Sequence, residues 1–198
     1  MNADSTQALP LFPLNTVLFP NSSLALRIFE PRYLTLVSDC LKQNHGFGVC
    51  LIQEGSETGD AAIPHAIGTL ARITDWYQHP DGILGINVCG EARFRIISTA
   101  TETDQRLMAN TELLSEGVAG TIPPDYSSLI VLLHQALGQA GAHHGEGSEN
   151  HDDAAWVSYR LAELLPFSLA QKQALLEIND PMQRLAHIHS TLGKQFIQ

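Results

Sequence analysis

The stretch from residue 84 to residue 96 alternates mainly apolar with mainly polar side chains at every position. The apolar parity consists of Leu84, Ile86, Val88, Gly90, Ala92, Phe94 and Ile96, and the polar parity of Gly85, Asn87, Cys89, Glu91, Arg93 and Arg95. This period of two is typical of a β-strand with one face in a core and one in water. It predicts that Phe94 is buried and that Arg93 and Arg95 face water. Gly90 is predicted to let the strand bend, as closure of a barrel requires.

Other short apolar runs in the first part of the chain also have strand character. They occupy residues 9–14, 24–29, 47–52 and 69–78. Pro10 and Pro13 lie in the first of these runs, which predicts that this strand lies at a sheet edge, because proline cannot donate to a ladder. Between the second and third runs, residues 30–43 repeat apolar side chains at helical spacing, which predicts one helix among the strands.

The periodicity changes after residues 121–128, and the rest of the chain is predicted to be helical. Ser168 and Gln171 form a capping box, and Asp180 precedes Pro181 as a helix cap. Strands followed by helices indicate an α+β fold. We predict that residues 1–122 form the strand-rich part and residues 123–198 the helical part of the same domain.

Charge and cysteine content restrict the partners and the compartment. The chain of 198 residues has 21 acidic and 11 basic side chains, for a net charge of −10. This excess disfavours nucleic acid and acidic membranes as partners. The 3 cysteines include no Cys-x-x-Cys pair, which disfavours a disulfide framework or a zinc knuckle and fits a reducing cytoplasm. The sequence has no export signal and no apolar run long enough for a membrane helix.

The motifs of common enzyme classes are absent from the sequence. It contains no phosphate-binding Gly-x-x-x-x-Gly-Lys loop, no Gly-x-Ser-x-Gly elbow and no His-Glu-x-x-His zinc motif. Cys50 lies inside an apolar strand, where an inert thiol is expected rather than a nucleophile. We therefore expect no catalytic residue and no cofactor.

One histidine-rich segment leaves a metal site open as an alternative. Its candidate ligands are His143, His144, Glu146, Glu149, His151, Asp152 and Asp153. The segment is rich in glycine and has no fixed frame, so a solvated, mobile linker is the favoured interpretation. A hydrolase or metal enzyme would depend on this segment alone, and we predict no bound metal.

Several short motifs occur in a familiar order. They are LPLFPL at 9–14, FEPRY at 29–33, FGVCLI at 47–52, IGTLARI at 67–73, GEARFRI at 90–96, LAELLP at 161–166 and LLEINDPMQRL at 175–185. Together, over residues 9–194, they resemble the N-terminal substrate-binding domain of the ATP-dependent Lon protease family. The resemblance implies a PUA-like closed β-barrel with one inserted helix, followed by a C-terminal α-helical bundle. It also implies a stand-alone version of this domain, without the ATPase and protease domains.

The family resemblance implies a non-catalytic module that binds unfolded or extended polypeptide, with a protease or chaperone as a further candidate partner. Trp76 and Tyr77 are the best candidates for the binding surface, because they are adjacent on a strand beside the turn at 79–82. Adjacent strand residues face opposite sides, so one is expected in the core and the other in water. Burial of both remains an equal alternative, since large aromatic side chains are mostly buried.

The family motifs at Glu30, Pro31, Arg32 and Tyr33, and at Arg93 and Phe94, are interpreted as structural. Pro31 suits the first turn of a helix, and the carboxylate of Glu30 suits the positive end of the helix dipole. Arg27 or Arg32 is expected to pair with Glu30. A structural corner is therefore favoured over a catalytic site.

RNA binding is the alternative function, because PUA-like barrels elsewhere bind RNA. Its cationic surface would consist of Arg93 and Arg95, with Arg72 close by. Three cations within a net charge of −10 form a weak footprint, and a contiguous positive groove would be needed to support this function.

Overall fold

The structure, a computed structural model, describes residues 7–117, 120–140 and 150–195. The chain divides into two compact units, Met1–Leu114 and Ser115–Gln198. In the described residues, the strands and one α-helix lie in the first unit, and four further α-helices lie in the second. This is a mixed fold of strands followed by helices, as the periodicity predicted. Among the described helices, none combines the length and apolar composition that a membrane crossing needs.

The first unit contains seven strands and one helix in its described part. In chain order they are β1 (Gln7–Leu14), β2 (Ser23–Ile28), α1 (Pro31–Gln43), β3 (Phe47–Glu54), β4 (Ile63–Pro64), β5 (Ile67–Gln78), β6 (Leu84–Thr101) and β7 (Leu107–Leu113). The five predicted strands and the predicted helix are confirmed, while β4 and β7 lie outside the predictions. Asn44 ends α1 in the left-handed conformation, with φ of 53°. The predicted turn at 79–82 is also present, and Gly82 has φ of 83° there.

The sheet forms a ring of pairings with two strands outside it. β1 pairs with β7, β7 with β6, β6 with β5, β5 with β3, and β3 pairs in parallel with β1. β2 pairs with β6, and β4 with β3, away from this ring. The sheet is therefore not the simple closed barrel that was expected. The cause is the length of β6, whose 18 residues pair with β2, β5 and β7 over different stretches.

The prediction that β1 is an edge strand was wrong. β1 pairs with β7 from Gln7 to Leu11 and with β3 from Leu11 to Leu14. Each half of the strand therefore has a partner on one side only. Pro10 lies in the first half and Pro13 in the second, so neither proline has to donate to two ladders.

Apolar residues fill the space between α1 and the sheet and a second space further along the ring. Tyr33, Leu36 and Val37 of α1 pack with Ile86 and Val88 of β6 in the first cluster. In the second, Phe94 is fully buried with Leu11 and Cys50. These positions confirm the apolar parity predicted for β6. A Cβ atom on Gly90 would lie 2.3 Å from the carbonyl oxygen of Phe19, so glycine is needed there for a close approach of two backbones.

The second unit is built around its central helix. It contains α2 (Ser127–Ala140), α3 (Ala154–Leu164), α4 (Leu169–Glu177) and α5 (Pro181–Gln195), and α3 contacts each of the other three. The predicted capping box at Ser168 and Gln171 is present, and Asp180 accepts the N–H of Met182 at 2.9 Å. Arg184 is fully buried, and it donates to Ser158 Oγ and the Tyr159 hydroxyl, each at 3.0 Å. Such a network fixes the packing of α3 against α5.

Candidate functional site

The corner between β2 and α1 is held by an ion pair of largely buried groups. Glu30 is the extended residue before the helix, with φ of −79° and ψ of 136°, and Pro31 opens the first turn. The Nε atom of Arg32 lies 2.9 Å from Oε2 of Glu30. Of the two partners that the sequence left open for Glu30, the structure therefore selects Arg32. Arg27 instead pairs with Asp81 at the β5–β6 turn.

Arg32 also ties α1 to two loops. Its Nη2 donates to the carbonyl oxygen of Glu57 at 3.1 Å, and its Nη1 lies 3.5 Å from that of Gln105. The Arg32 guanidinium lies over the ring of the neighbouring Tyr33, 4.7 Å from its centroid. The Arg32 guanidinium thus contacts a carboxylate, two backbone carbonyl groups and an aromatic ring. Such contacts stabilise tertiary structure and leave little of the positive charge accessible to a ligand.

Tyr33 completes the corner from the apolar side. Its ring stacks on Phe12 with centroids 3.8 Å apart and planes inclined by 17°. Burial raises the pKa of the Tyr33 phenol above its ordinary value, the nearby Arg32 lowers it, and Glu30 raises it further. A phenol with a raised pKa stays neutral at physiological pH and is no candidate base. The geometry of the corner therefore favours the structural interpretation of Glu30, Pro31, Arg32 and Tyr33.

Trp76 and Tyr77 both lie at the surface near the end of the β5–β6 hairpin. Trp76 is 62% exposed and Tyr77 is 36% exposed. Trp76 pairs with Ile86 and Tyr77 with Gly85, so the two side chains leave opposite faces of the sheet, as expected. The expectation that one of them is in the core was wrong. Both residues lie in the part of β5 that pairs with β6 alone, and neither aromatic ring is enclosed.

Trp76 stands at the flank of an apolar sheet face whose centre is covered in the core, and we call it the hairpin face. Cross-strand pairing places eight apolar side chains on one side of β5, β6 and β2, namely Ile73, Val88 and Leu24, then Trp76, Ile86 and Leu26, then Leu84 and Ile28. The central Ile86 and Val88 are fully buried, while Leu24, Leu26, Ile73 and Leu84 are only partly buried. The flanks of the hairpin face therefore offer apolar contact area to the solvent.

Tyr77 belongs to a smaller, mixed cluster on the opposite side. Its ring lies across Gly85, where a Cβ atom would come within 2.5 Å of the Tyr77 ring, and it meets His79 edge-on with centroids 5.0 Å apart. Arg27 and Asp81 form their ion pair beside this cluster. The N–H of Ile83 lowers the pKa of the Asp81 carboxyl, and the charge of Arg27 lowers it further. These contacts fix the turn and leave Tyr77 less available than Trp76.

A recess of about 710 Å³ opens beside the C-terminal half of α1. Leu41 and Leu70 contribute apolar surface to it, and Ile73 belongs to both the recess and the hairpin face. Its two arginines are neutralised locally: Arg72 pairs with Glu91 at 2.6 Å, and Arg106 pairs with Asp39 at 2.9 Å. The recess therefore adds apolar surface next to Ile73 on the hairpin face. Its two arginines are ion-paired, so they do not give it a positive electrostatic field.

The cations proposed for RNA binding do not form a shared surface. Arg93 is fully buried, so the prediction that it faces water was wrong. Its cross-strand partner Thr69 is also fully buried, which shows that both faces of the sheet are covered at this point. Arg72, on β5, is exposed but paired with Glu91, and Arg95 is exposed on β6. These three arginines therefore do not form the positive groove that the RNA alternative requires.

The cysteines and histidines provide no catalytic constellation in the described ranges. Cys50 is 1% exposed, and burial raises the pKa of its thiol far above the ordinary value. No group of three or more His, Cys, Asp or Glu side chains in the described residues is arranged to hold a metal ion. Of the histidine-rich segment, His143, His144, Glu146 and Glu149 lie outside the described residues.

Two features of the surface were not anticipated from the sequence. Phe29 lies inside the FEPRY motif, just after β2, yet it is 61% exposed. The contribution of β2 was also missed, although Leu24, Leu26 and Ile28 alternate with Ser23, Ala25 and Arg27 in its sequence. That period-two alternation was the available signal for a second apolar row beside β6.

Comparison with known proteins identifies relatives of this chain. Residues 8–194 match the family model of the ATP-dependent protease La (LON) substrate-binding domain. The Lon protease of Dictyoglomus thermophilum is 27% identical over 198 residues, which cover 97% of this chain and 25% of that protein. The protein cereblon of Xenopus tropicalis is 27% identical over 119 residues, covering 58% of this chain and 26% of that protein. The chain thus spans about a quarter of the length of these curated relatives.

Solved structures show the same fold. A crystal structure of a Lon N-terminal domain protein from Xanthomonas campestris superposes with a TM-score of 0.79 and 35% identity, covering 93% of this chain and 98% of that one. The N-terminal domain of the Mycobacterium avium complex Lon protease gives a TM-score of 0.65 at 16% identity, covering 92% of this chain and 96% of that one. The second comparison supports the fold alone.

Proposed function

Because this chain belongs to the family of ATP-dependent protease La (LON) substrate-binding domains, we propose that it is a non-catalytic module that binds unfolded or extended polypeptide rich in apolar residues. The observation that carries the proposal is the exposure of Trp76, 62%, at the flank of the hairpin face. An exposed tryptophan beside partly buried aliphatic side chains supplies a large contact area at low cost in side-chain entropy.

The charge of the protein supports polypeptide over nucleic acid as the partner. The net charge is −10, and the three arginines considered for RNA binding include a buried one and a paired one. Contacts at the hairpin face would be mainly apolar, so binding is expected to survive added salt. A complex held by phosphate contacts would instead weaken steeply.

The proposed function includes a cytoplasmic setting and a partner that processes the bound segments. Segments bound at the hairpin face would be handed to a separate protease or chaperone. All three cysteines are free thiols, which suits the reducing cytoplasm as the place of action. For the scaffold, we propose that the strand ring is related to PUA-like barrels and that α2 to α5 form a helical bundle within the unit Ser115–Gln198.

The test is a titration with two kinds of labelled ligand. Fluorescent peptides from unfolded proteins and a structured RNA are titrated against wild type, Trp76→Ala and Tyr77→Ala, at low and high salt. Leu113→Ala serves as a matched control, because Leu113 is 51% exposed on β7, outside the hairpin face. We expect Trp76→Ala to weaken peptide binding about tenfold or more, as loss of an aromatic anchor does, and Leu113→Ala to leave it unchanged.

Two outcomes would count against the proposal. RNA binding that is tighter than peptide binding at near-physiological salt would overturn the function. Peptide binding that is unchanged in both Trp76→Ala and Tyr77→Ala would keep the function and remove the hairpin face as its site.

A further inference from the structure

β2 has one ladder partner and one open side. Its register with β6 runs without interruption from Ser23 opposite Cys89 to Ile28 opposite Leu84. Within the described residues, β6 is the only strand with which β2 pairs, and the only element with which it makes extensive contact. One whole side of a regular strand is therefore left without a neighbouring strand.

The hydrogen-bond alternation shows which backbone groups face that open side. The N–H of Gly90 donates to the carbonyl oxygen of Ser22 at 2.8 Å, so the even-numbered residues of β6 direct their backbone toward β2. By the same alternation, Leu24 and Leu26 use their N–H and C=O groups in the ladder with β6. The corresponding groups of Ala25 and Arg27 point away from β6, and both residues are exposed.

β5 forms the opposite edge of the three-stranded sheet that it makes with β6 and β2. That edge is protected against the addition of a further strand, and the β2 edge is not. β5 has two register breaks, between Thr69 and Ala71 and between Ile73 and Asp75. At that edge the N–H of Trp76 is taken by Oδ1 of Asp75 at 2.8 Å. Bulges and inward-turned charges are the usual devices that prevent strands from adding to an edge. β2 has no proline and no bulge, and its one charge, on Arg27, is paired with Asp81 on the Tyr77 side of the sheet.

We propose that β2 is a strand-addition site, at which an extended polypeptide pairs antiparallel with the outward backbone groups of Ala25 and Arg27. The inference rests on the proposed function and specifies how that polypeptide is held. Main-chain pairing depends on backbone groups that all sequences share, so many different segments can bind. Side chains at alternate positions then determine which segments bind more tightly. Residues opposite Leu24 and Leu26 would extend the hairpin face, so the ligand has apolar side chains at every second position.

Charge favours a foreign segment over a second copy of this chain as the occupant. Each copy carries a net charge of −10, so edge-to-edge pairing of two copies brings like charges together. A neutral or cationic extended segment has no such penalty. The occupant is therefore a polypeptide of neutral or positive charge with alternating apolar residues.

Backbone-methylated peptides test the pairing directly. A peptide that alternates apolar and polar residues is made in three forms: unmodified, N-methylated at the polar positions, and N-methylated at the apolar positions. In antiparallel pairing the polar positions lie opposite Ala25 and Arg27 and direct their N–H groups to β2. We expect methylation at the polar positions to weaken binding at least tenfold and methylation at the apolar positions to leave it within about twofold.

The outcomes separate this inference from the proposed function. Failure of the unmodified peptide to bind would overturn the proposed function itself. Binding that is equally affected by both methylation patterns would keep the proposed function and overturn strand addition. Loss confined to the apolar-methylated peptide would overturn antiparallel pairing, because only a parallel ligand directs those N–H groups to β2.

A variant pair examines the protein side of the contact. Ala25→Pro removes an outward N–H at a position where an edge strand tolerates proline, and Ala25→Val keeps that N–H. We expect at least a tenfold loss of peptide affinity in Ala25→Pro alone, with thermal melting to verify that both variants fold. Equal affinity in the two folded variants would overturn the inference. So would a wild-type dimer in sedimentation that Ala25→Pro dissociates, because the edge would then belong to a second copy. If Ala25→Pro does not fold, the titrations with the methylated peptides decide whether β2 pairs with the ligand.

Discussion

Arg32 Nε lies 2.9 Å from Oε2 of Glu30, in a pair whose side chains are 6% and 18% exposed. Removing one partner from such a pair leaves a charge that is neither solvated nor compensated. We therefore expect Arg32→Ala to lower the free energy of unfolding by about 3–5 kcal/mol. Arg27→Ala is the matched control, because the side chains of Arg27 and Asp81 are 54% and 51% exposed. It should cost at most about 1 kcal/mol in the same urea titration. Similar losses in both variants would mean that the corner is not a structural centre.

Phe94 and Arg95 are neighbours on β6 with opposite environments. Phe94 is fully buried, and Arg95 is exposed. Truncation of a buried phenylalanine costs about 3–5 kcal/mol, whereas a surface change stays within about 0.5 kcal/mol. We expect Phe94→Ala and Arg95→Ala to differ by this margin in urea unfolding. Equal effects would show that the register of β6 is misassigned.

Two glycines are expected to respond oppositely to alanine. At Gly90 the added Cβ atom would lie 2.3 Å from the carbonyl oxygen of Phe19, so the backbone must move. At Gly138, in α2, the added atom meets nothing within 4 Å. Gly138→Ala should therefore stabilise the protein by up to about 1 kcal/mol, the propensity difference in a helix. Gly90→Ala should lower the melting temperature, and a neutral result would contradict the close approach of the two backbones.

The three cysteines should differ in reactivity in the folded protein. Cys40 and Cys50 are each 1% exposed, and Cys89 is partly exposed. Burial raises the pKa of Cys40 from 9.0 to about 11, with Asp39 raising it further and Arg106 opposing. Because the thiolate is the reactive form, a disulfide reagent at pH 8 should modify Cys89 rapidly and the other two only after unfolding. Rapid modification of Cys40 in the native state at pH 8 would refute this environment.

The same pKa shift has a consequence for stability in alkaline solution. The folded protein holds the Cys40 thiol in its neutral form. Below pH 9.0, the ordinary pKa of the thiol, the unfolded chain is neutral there too, and the contribution of this thiol to the free energy of unfolding is complete. It is lost as the pH rises toward the folded value of about 11, because the unfolded chain ionises first. Urea midpoints measured between pH 8 and pH 11 should fall for wild type more than for Cys40→Ala.

Local patterns predicted the elements well because their causes are local. Period-two alternation located β6, Pro31 and the helical spacing located α1, and the pairing of Ser168 with Gln171 located the start of α4. Each of these signals acts over a few residues, through backbone geometry or a single cap.

The environments of individual side chains were predicted less well, because they depend on distant parts of the chain. Parity correctly placed Arg93 on the face opposite Phe94, but it could not reveal that this face is covered there too. Parity also placed Trp76 and Tyr77 on opposite faces, while their exposure depends on which other parts of the chain cover the end of the hairpin. The protection of the β5 edge by Asp75 likewise follows from a bulge that alternation alone does not show.

The change of partner within β1 determines when the first unit is able to fold. Gln7 pairs with Thr111, and the Thr111 hydroxyl donates to the Gln7 carbonyl at 3.0 Å across a sequence separation of 104. Contacts this remote form slowly, because closing a long loop costs entropy before the contact compensates for it. During synthesis on the ribosome, β1 emerges early and one half of it waits until β7 has been made. Completion of the strand ring is therefore a late event in biosynthesis, and the docking of β1 against β7 is the step that we expect to limit the folding rate.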